Sequence, residues 1–162
     1  MYKEVDIYWE GPFEVEYDRD TMIYSIPSDI PDDLKNAQGF YQIYGDHPVY
    51  GKDVLLYIGE TKPSKNGNRN FGIRMKEHLF KRFWYHHGLK IRLGLGQINE
   101  SNVTDRNTIL AVESLLIASN MPALNREHLD HSNDYSKQFI VRNWNFKGTI
   151  AAECSGKYWA QT

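Results

Sequence analysis

The sequence predicts an α+β fold, because short apolar runs typical of strands alternate with segments whose apolar residues recur at helical spacing. The chain has 162 residues, of which 41% are hydrophobic, enough for a core in one domain. In chain order we expect two strands, a helix, a third strand and a second helix, with β-rich segments on both sides. We therefore divide the chain into an acidic amino-terminal extension (1–38), a core (39–126) and a carboxyl-terminal extension (127–162).

The amino-terminal extension predicts a short hairpin followed by a connector. The stretch over 5–17 alternates weakly between apolar and polar residues, with Gly11 and Pro12 as the expected turn. Two prolines and several acidic residues then interrupt the pattern. We expect a connector there, with a brief helical turn over 31–36.

Three apolar runs predict the strands of the core. The first two are GFYQIYG, over 39–45, and DVLLYIG, over 53–59. Between them Pro48 and Gly51 indicate a hairpin loop. The third run, KIRLGLGQI over 90–98, alternates as a strand does.

Two helices are predicted in the core. The first begins near Gly72, where five apolar residues follow near helical spacing. Thr104 or Asp105 can cap the second, which Pro122 terminates. Two further short strands are expected in the tail, over 137–143 and 148–153.

Composition limits the class of protein. Cys154 is the only cysteine, so an intrachain disulfide and a thiolate zinc cluster are excluded. His128 and His131 could mimic a zinc pair, but the sequence shows no third ligand. The first ten residues do not resemble a leader, and no run of about 18 apolar residues could span a bilayer. We therefore expect a cytoplasmic protein without a membrane partner.

Charge is distributed unevenly along the chain. Residues 1–38 carry a net charge of −7, whereas residues 62–92 hold nine basic and one acidic side chain, a net charge of +8. This basic segment is either a solvated helix face or a surface for a polyanion, and its interleaved aromatic residues favour the second interpretation. The loop over 62–70 either enters a DNA groove or is simply solvated. The expected DNA-binding residues are Lys62, Lys65, Arg69, Lys76, Lys81 and Arg82.

In this order of elements the sequence resembles the GIY-YIG nuclease family, over about Gly39 to Asn125. The residues that carry the resemblance are Gly39-Phe40-Tyr41, Tyr57-Ile58-Gly59, Arg74, His78, Glu113 and Asn125. The resemblance implies a small three-stranded antiparallel sheet flanked by helices. It also implies that Tyr41 activates water, that Glu113 binds the metal and that His78 corresponds to the histidine of the restriction-enzyme branch.

The residue types agree with phosphodiester hydrolysis, which needs an activated water, a charge clamp and help for the leaving oxygen. Arg74 and His78 are four residues apart on one helix, so both can reach one phosphate. Tyr57 would orient the phosphate, and Asn125 would steady the site by hydrogen bonds. A single carboxylate, Glu113, favours one Mg²⁺ ion, for which Mn²⁺ can substitute.

The sequence therefore predicts a magnesium-dependent, site-specific endonuclease for double-stranded DNA, similar to the compact restriction enzymes of the family. Because one site cuts one strand, we expect a homodimer at least on DNA. Two alternatives stay open: a nonspecific or structure-specific repair nuclease, and a catalytically silent DNA-binding module.

Overall fold

The computed structural model describes residues 1–61, 69–83 and 85–161. Three α-helices lie in this part of the chain: α1 (Asp32–Lys35), α2 (Phe71–Lys81) and α3 (Arg106–Asn120). The strands are β1 (Lys3–Glu14), β2 (Glu16–Asp18), β3 (Ile23–Ser25), β4 (Phe40–His47), β5 (Gly51–Glu60), β6 (Lys90–Ile98), β7 (Ser101–Asn102), β8 (Phe139–Asn145) and β9 (Glu153–Ser155). Short 3-10 helices cover Asp134–Gln138 and Gly156–Gln161.

The main sheet has seven strands, which overturns the predicted three-stranded sheet. Its strand order is β5-β4-β6-β1-β8-β9, and β7 pairs with β6. The three expected core strands are present and antiparallel, but β1 adds to the edge of β6 and β8 then pairs with β1 in parallel. The predicted fold class is wrong because the two extensions belong to the same sheet as the core.

The predicted turn at Gly11 and Pro12 is also wrong, because β1 continues through both residues. Its register against β6 shifts between Glu10 and Phe13, which marks a bulge rather than a reversal. The alternation that suggested a hairpin instead places Val5, Ile7 and Trp9 on one buried face of a long strand. The only hairpin of the amino-terminal extension within the described residues is the small β2–β3 pair.

The sheet separates two hydrophobic clusters, because successive strand residues point to opposite faces. On one face, which we call the α3 face, Val5, Ile7 and Phe40 pack with apolar residues of α3. On the other, the α2 face, strand residues such as Ile91 and Leu93 pack with the apolar side of α2. Of the candidate functional residues, Tyr41 and Tyr57 belong to this second cluster and His78 packs against them, whereas Glu113 lies on α3.

Both longer helices begin with a side-chain cap. Asn70 accepts a hydrogen bond from the backbone N–H of Ile73 at the start of α2. At the start of α3, Asp105 accepts one from Thr108 at 2.8 Å, so Asp105 rather than Thr104 is the cap. None of the helices in the described ranges is long and apolar enough to cross a membrane.

Candidate active site

The two motif tyrosines lie on neighbouring antiparallel strands and share the α2 face of the sheet. Tyr41 is paired directly with Gly59, and Tyr57 lies two residues before that glycine on β5. The rings are 6.1 Å apart between centroids and nearly parallel. A Cβ on Gly59 would lie 2.3 Å from the Tyr41 hydroxyl and 2.8 Å from the Tyr57 ring. Glycine is therefore required at this position so that the two rings can lie together over the strand.

Helix α2 brings His78 onto the two tyrosine rings. The Tyr57 and His78 ring centroids are 5.1 Å apart, and the Tyr41 ring meets His78 edge-on at 5.7 Å. The Tyr41 hydroxyl lies 3.4 Å from Nδ1 and 3.5 Å from Nε2 of His78, a long contact with the ring rather than a short hydrogen bond. Three of the candidate site residues, Tyr41, Tyr57 and His78, thus lie together in the structure.

Three arginines surround the His78 imidazole. Burial lowers the pKa of His78, and the charges of Arg74, Arg82 and Arg69 lower it further, to about 3. At neutral pH the imidazole is therefore uncharged and can accept a hydrogen bond, but it is a weak base.

Both tyrosines have a raised pKa, and burial is the main cause. For Tyr41, desolvation and the neighbouring Tyr57 raise the pKa well above its usual value, and the charge of Arg74 offsets only part of this. For Tyr57, desolvation and Glu113 raise the pKa, while Arg82 and Arg74 lower it. Nearby arginines lower the pKa of both tyrosines, but burial outweighs them.

Glu113 extends from α3 into a cavity of ≈ 230 Å³ that Tyr57 and Arg82 also line. The Arg82 guanidinium carbon lies 4.8 Å from the centroid of the Tyr57 ring, so it stacks on the tyrosine that borders the cavity. Tyr41 is completely buried (0% exposed) and does not line this cavity, whereas Tyr57 is 9% exposed. A molecule in the cavity would therefore contact Tyr57 first.

The cavity is lined by two carboxylates that could hold one hard cation, and also by the cationic side chains of Arg82 and Arg126. Glu113 is partly exposed and supplies one carboxylate, and Glu127 lines the same cavity. In the described ranges no group of three or more His, Cys, Asp or Glu side chains could hold a metal ion. Mg²⁺ fits such a site, because it commonly binds through one or two carboxylates and completes its shell with water and phosphate oxygens. Within the described residues, His128 and His131 are not part of a group of three or more possible metal ligands.

Asn125 fixes the segment after α3 to the sheet. Its Oδ1 accepts from the backbone N–H of Ile58, and its Nδ2 donates to the Ile58 carbonyl, both at 2.9 Å. Just before Asn125, the backbone N–H groups of Ala123 and Leu124 donate hydrogen bonds to the carbonyl groups of Leu55 and Leu56 on β5. This geometry agrees with the predicted steadying role, because Asn125 aligns the strand that carries Tyr57 with the wall of the cavity.

The predicted DNA-binding residues separate into three groups. Arg69 and Arg82 lie beside His78, as described above, whereas Lys76 and Lys81 are exposed on α2. Lys76 is two residues beyond Arg74, roughly 200° around the helix, and so faces away from the site. Lys62 and Lys65 lie outside the described residues.

Several groups at the site were missed from the sequence. Glu60 is buried directly after the YIG motif, and its charge raises the pKa of both Tyr41 and Arg74. Arg126 and His128 line the cavity next to Glu127. Glu60 could have been noticed in the sequence, because it is an acidic residue at the end of an apolar strand. No local pattern points to residues 126–128, which lie in an irregular segment rather than on a helix.

Comparisons with known proteins do not identify a relative. A scan against protein-family models, a search of curated proteins and a search of solved structures each found no match.

Proposed function

We propose that this protein is a magnesium-dependent endonuclease that hydrolyses phosphodiester bonds of double-stranded DNA. One observation carries the proposal: Tyr41, Tyr57, Arg74 and His78 gather on one side of the sheet, and Glu113 shares a cavity with Tyr57. These are the residues on which the resemblance to the GIY-YIG nucleases rests. The seven-stranded sheet does not contribute to the proposal, which depends on the site alone.

In the proposed reaction the arginines hold the phosphate. Arg74 has a planar fork of donors suited to two phosphate oxygens, and Arg69 and Arg82 add positive charge nearby. Arg82 lines the cavity, so it is placed to contact the phosphate next to Tyr57. We therefore give Arg82 a role in binding the scissile phosphate, beyond general attraction to DNA.

The exposure of the two tyrosines favours an exchange of the roles that the resemblance implies. Tyr57 borders the cavity, so its hydroxyl can contact the attacking water. Tyr41 lies behind it, enclosed by Tyr57, Gly59 and His78, and holds their geometry. The neutral imidazole of His78 lies against both tyrosine rings and can orient their hydroxyl groups as a hydrogen-bond acceptor, whereas its pKa of about 3 makes it a weak base.

Glu113 would hold the metal ion, together with water and a phosphate oxygen. A bound Mg²⁺ or Mn²⁺ supplies charge stabilisation for the phosphate and the leaving oxygen. On DNA we infer a symmetric pair of chains, because one set of these residues cuts one strand. The biological setting we propose is a cytoplasmic restriction enzyme that recognises a specific site.

Incubating purified protein with supercoiled plasmid, in Mg²⁺ and separately in EDTA, tests the proposal. Sequencing the product ends then separates the candidates. Discrete ends formed only with Mg²⁺ support a site-specific nuclease, whereas a smear supports a nonspecific repair nuclease. An intact plasmid bound by the protein would contradict nuclease activity and favour a silent DNA-binding module.

A further inference from the structure

Glu77 is the only acidic residue in the basic segment over 62–92. It lies on α2, one turn beyond Arg74. A single oxygen, Oε2, lies 3.1 Å from Nη1 of Arg74 and 3.7 Å from Nη1 of Arg69. The Oε2 atom thus bridges two of the three arginines that surround His78.

This bridge uses the donors that the proposed reaction needs for phosphate. A guanidinium binds carboxylates and phosphates through the same fork of N–H groups, so the two anions compete. The Glu77 side chain is 34% exposed, and ion pairs at such positions contribute little to stability. Helix stability alone therefore gives no strong reason for one acid at this point in a basic surface.

We propose that Glu77 is a specificity-determining residue that occupies the position of a phosphate oxygen between Arg69 and Arg74 in the DNA-free protein. The inference rests on the proposed function. A duplex that makes only backbone contacts must displace the carboxylate and so binds weakly. A duplex that also makes base contacts gains enough binding free energy to displace it.

The test is binding of a fluorescent duplex of arbitrary sequence, measured by anisotropy in EDTA over a range of salt concentrations. We expect Glu77→Gln to bind this duplex about tenfold more tightly than the wild type, because the two arginines become available. The slope of log K against log salt should steepen by about 0.9, the value for one additional phosphate contact.

Asp134→Asn is the matched control. It removes the same charge from another ion pair with i,i+3 spacing, to Lys137, in a 3-10 helix that packs against α3. We expect less than a twofold change in affinity for this variant. Equal tightening by both variants would overturn the inference, since net charge alone would then explain the effect.

Two further outcomes are decisive. Weaker binding by Glu77→Gln would also overturn the inference, because Glu77 would then be needed to position Arg74. Failure of all three proteins to bind any duplex would contradict both the inference and the proposed function. Tighter binding by Glu77→Gln, together with a wild type that never cuts in Mg²⁺, would support the inference and contradict only the nuclease proposal.

Discussion

The two faces of the sheet differ in what they bury. The α3 face buries an apolar cluster that includes Ile7, Val112 and Leu115, and its buried polar groups are hydrogen-bonded, as Trp9 is to Asn143. The α2 face also buries apolar residues, but at its edge it holds Tyr41, Tyr57 and His78.

This difference indicates that the α3 face mainly stabilises the fold and that the α2 face holds polar groups available for chemistry. Burial of the hydrocarbon groups on the α3 face contributes stability without any demand for hydrogen-bond partners. The polar groups of the α2 face have shifted pKa values, and such shifts are concentrated at functional sites. We infer that substitutions on the two faces have separable effects on stability and on catalysis.

The largest effect on stability is expected from Leu115→Ala. This change leaves a cavity in the α3 face and should lower the free energy of unfolding by about 3 kcal/mol. The rate of cleavage per folded molecule should stay within about twofold of the wild-type rate. Leu115 belongs to the α3-face cluster and does not line the cavity. Urea denaturation and an assay at matched folded concentration measure both quantities. A large fall in activity at unchanged stability would contradict the inference that the two faces have separable effects on stability and catalysis.

The two tyrosines of the α2 face are expected to affect the rate of cleavage to different extents. Tyr57→Phe should slow single-turnover cleavage about 100-fold, because it deletes the hydroxyl of the tyrosine that lines the cavity. Tyr41→Phe should slow it only about tenfold, as expected for a positioning residue, and should leave DNA affinity unchanged. The opposite order of rates would return the water-activating role to Tyr41, as the family resemblance implies.

His78 should make stability depend on pH. Its pKa is lowered to about 3 in the folded protein, from 6.5, so between these values the unfolded chain binds more protons. The stability that its neutral form contributes is complete above pH 6.5 and is lost as the pH falls towards 3. Between pH 7.5 and pH 4.5 the loss from this residue should be roughly 3 kcal/mol.

The same titration of His78→Gln isolates this contribution from the carboxylates. Asp18, Asp105 and Asp130 also have a lowered pKa and lose stability in acid, but they do so in both proteins. The two stability curves should therefore converge as the pH falls. Parallel curves would show that His78 does not titrate as its burial beside three arginines requires.

The smallest effect concerns the salt dependence of DNA binding. In the Glu77→Gln background, where the donors of Arg74 are available, Arg74→Ala should make the slope of log K against log salt shallower by about 0.9, because one phosphate contact is lost. Lys76→Ala removes the same charge from the opposite side of α2, and we expect a smaller change. Equal changes of the slope for both variants would contradict the assignment of the Arg74 side of α2 as the DNA-binding face.

Local patterns predicted the core elements well. The strands around Tyr41 and Tyr57, the third core strand and both longer helices appear where apolar spacing and caps placed them. The sheet was mispredicted because its additional pairings are long-range: Lys3 of β1 pairs with Phe139 of β8, and no local signal encodes that parallel contact. A strand pattern predicts that a strand exists, not which strand it joins.

The candidate site was predictable only in part, for a similar reason. Spacing along the chain placed Arg74 and His78 on one helix face, and the motif order indicated Glu113. The complete burial of Tyr41 and the position of Arg82 over the Tyr57 ring depend on how α2 packs against the sheet. Tertiary packing therefore determines the pKa shifts of Tyr41, Tyr57 and His78, which no local sequence pattern signals.

The most direct test of the account is Mg²⁺-dependent cleavage by the wild type and Glu113→Gln, with duplex binding measured on the same samples. We predict that the wild type cuts and that the variant binds DNA with similar affinity but cuts at least about 10³-fold more slowly, because it retains its shape and loses the metal-binding charge. Glu127→Gln, a change to the other carboxylate of the cavity, should reduce the rate far less. Cleavage by Glu113→Gln at the wild-type rate would contradict the assignment of this cavity as the active site.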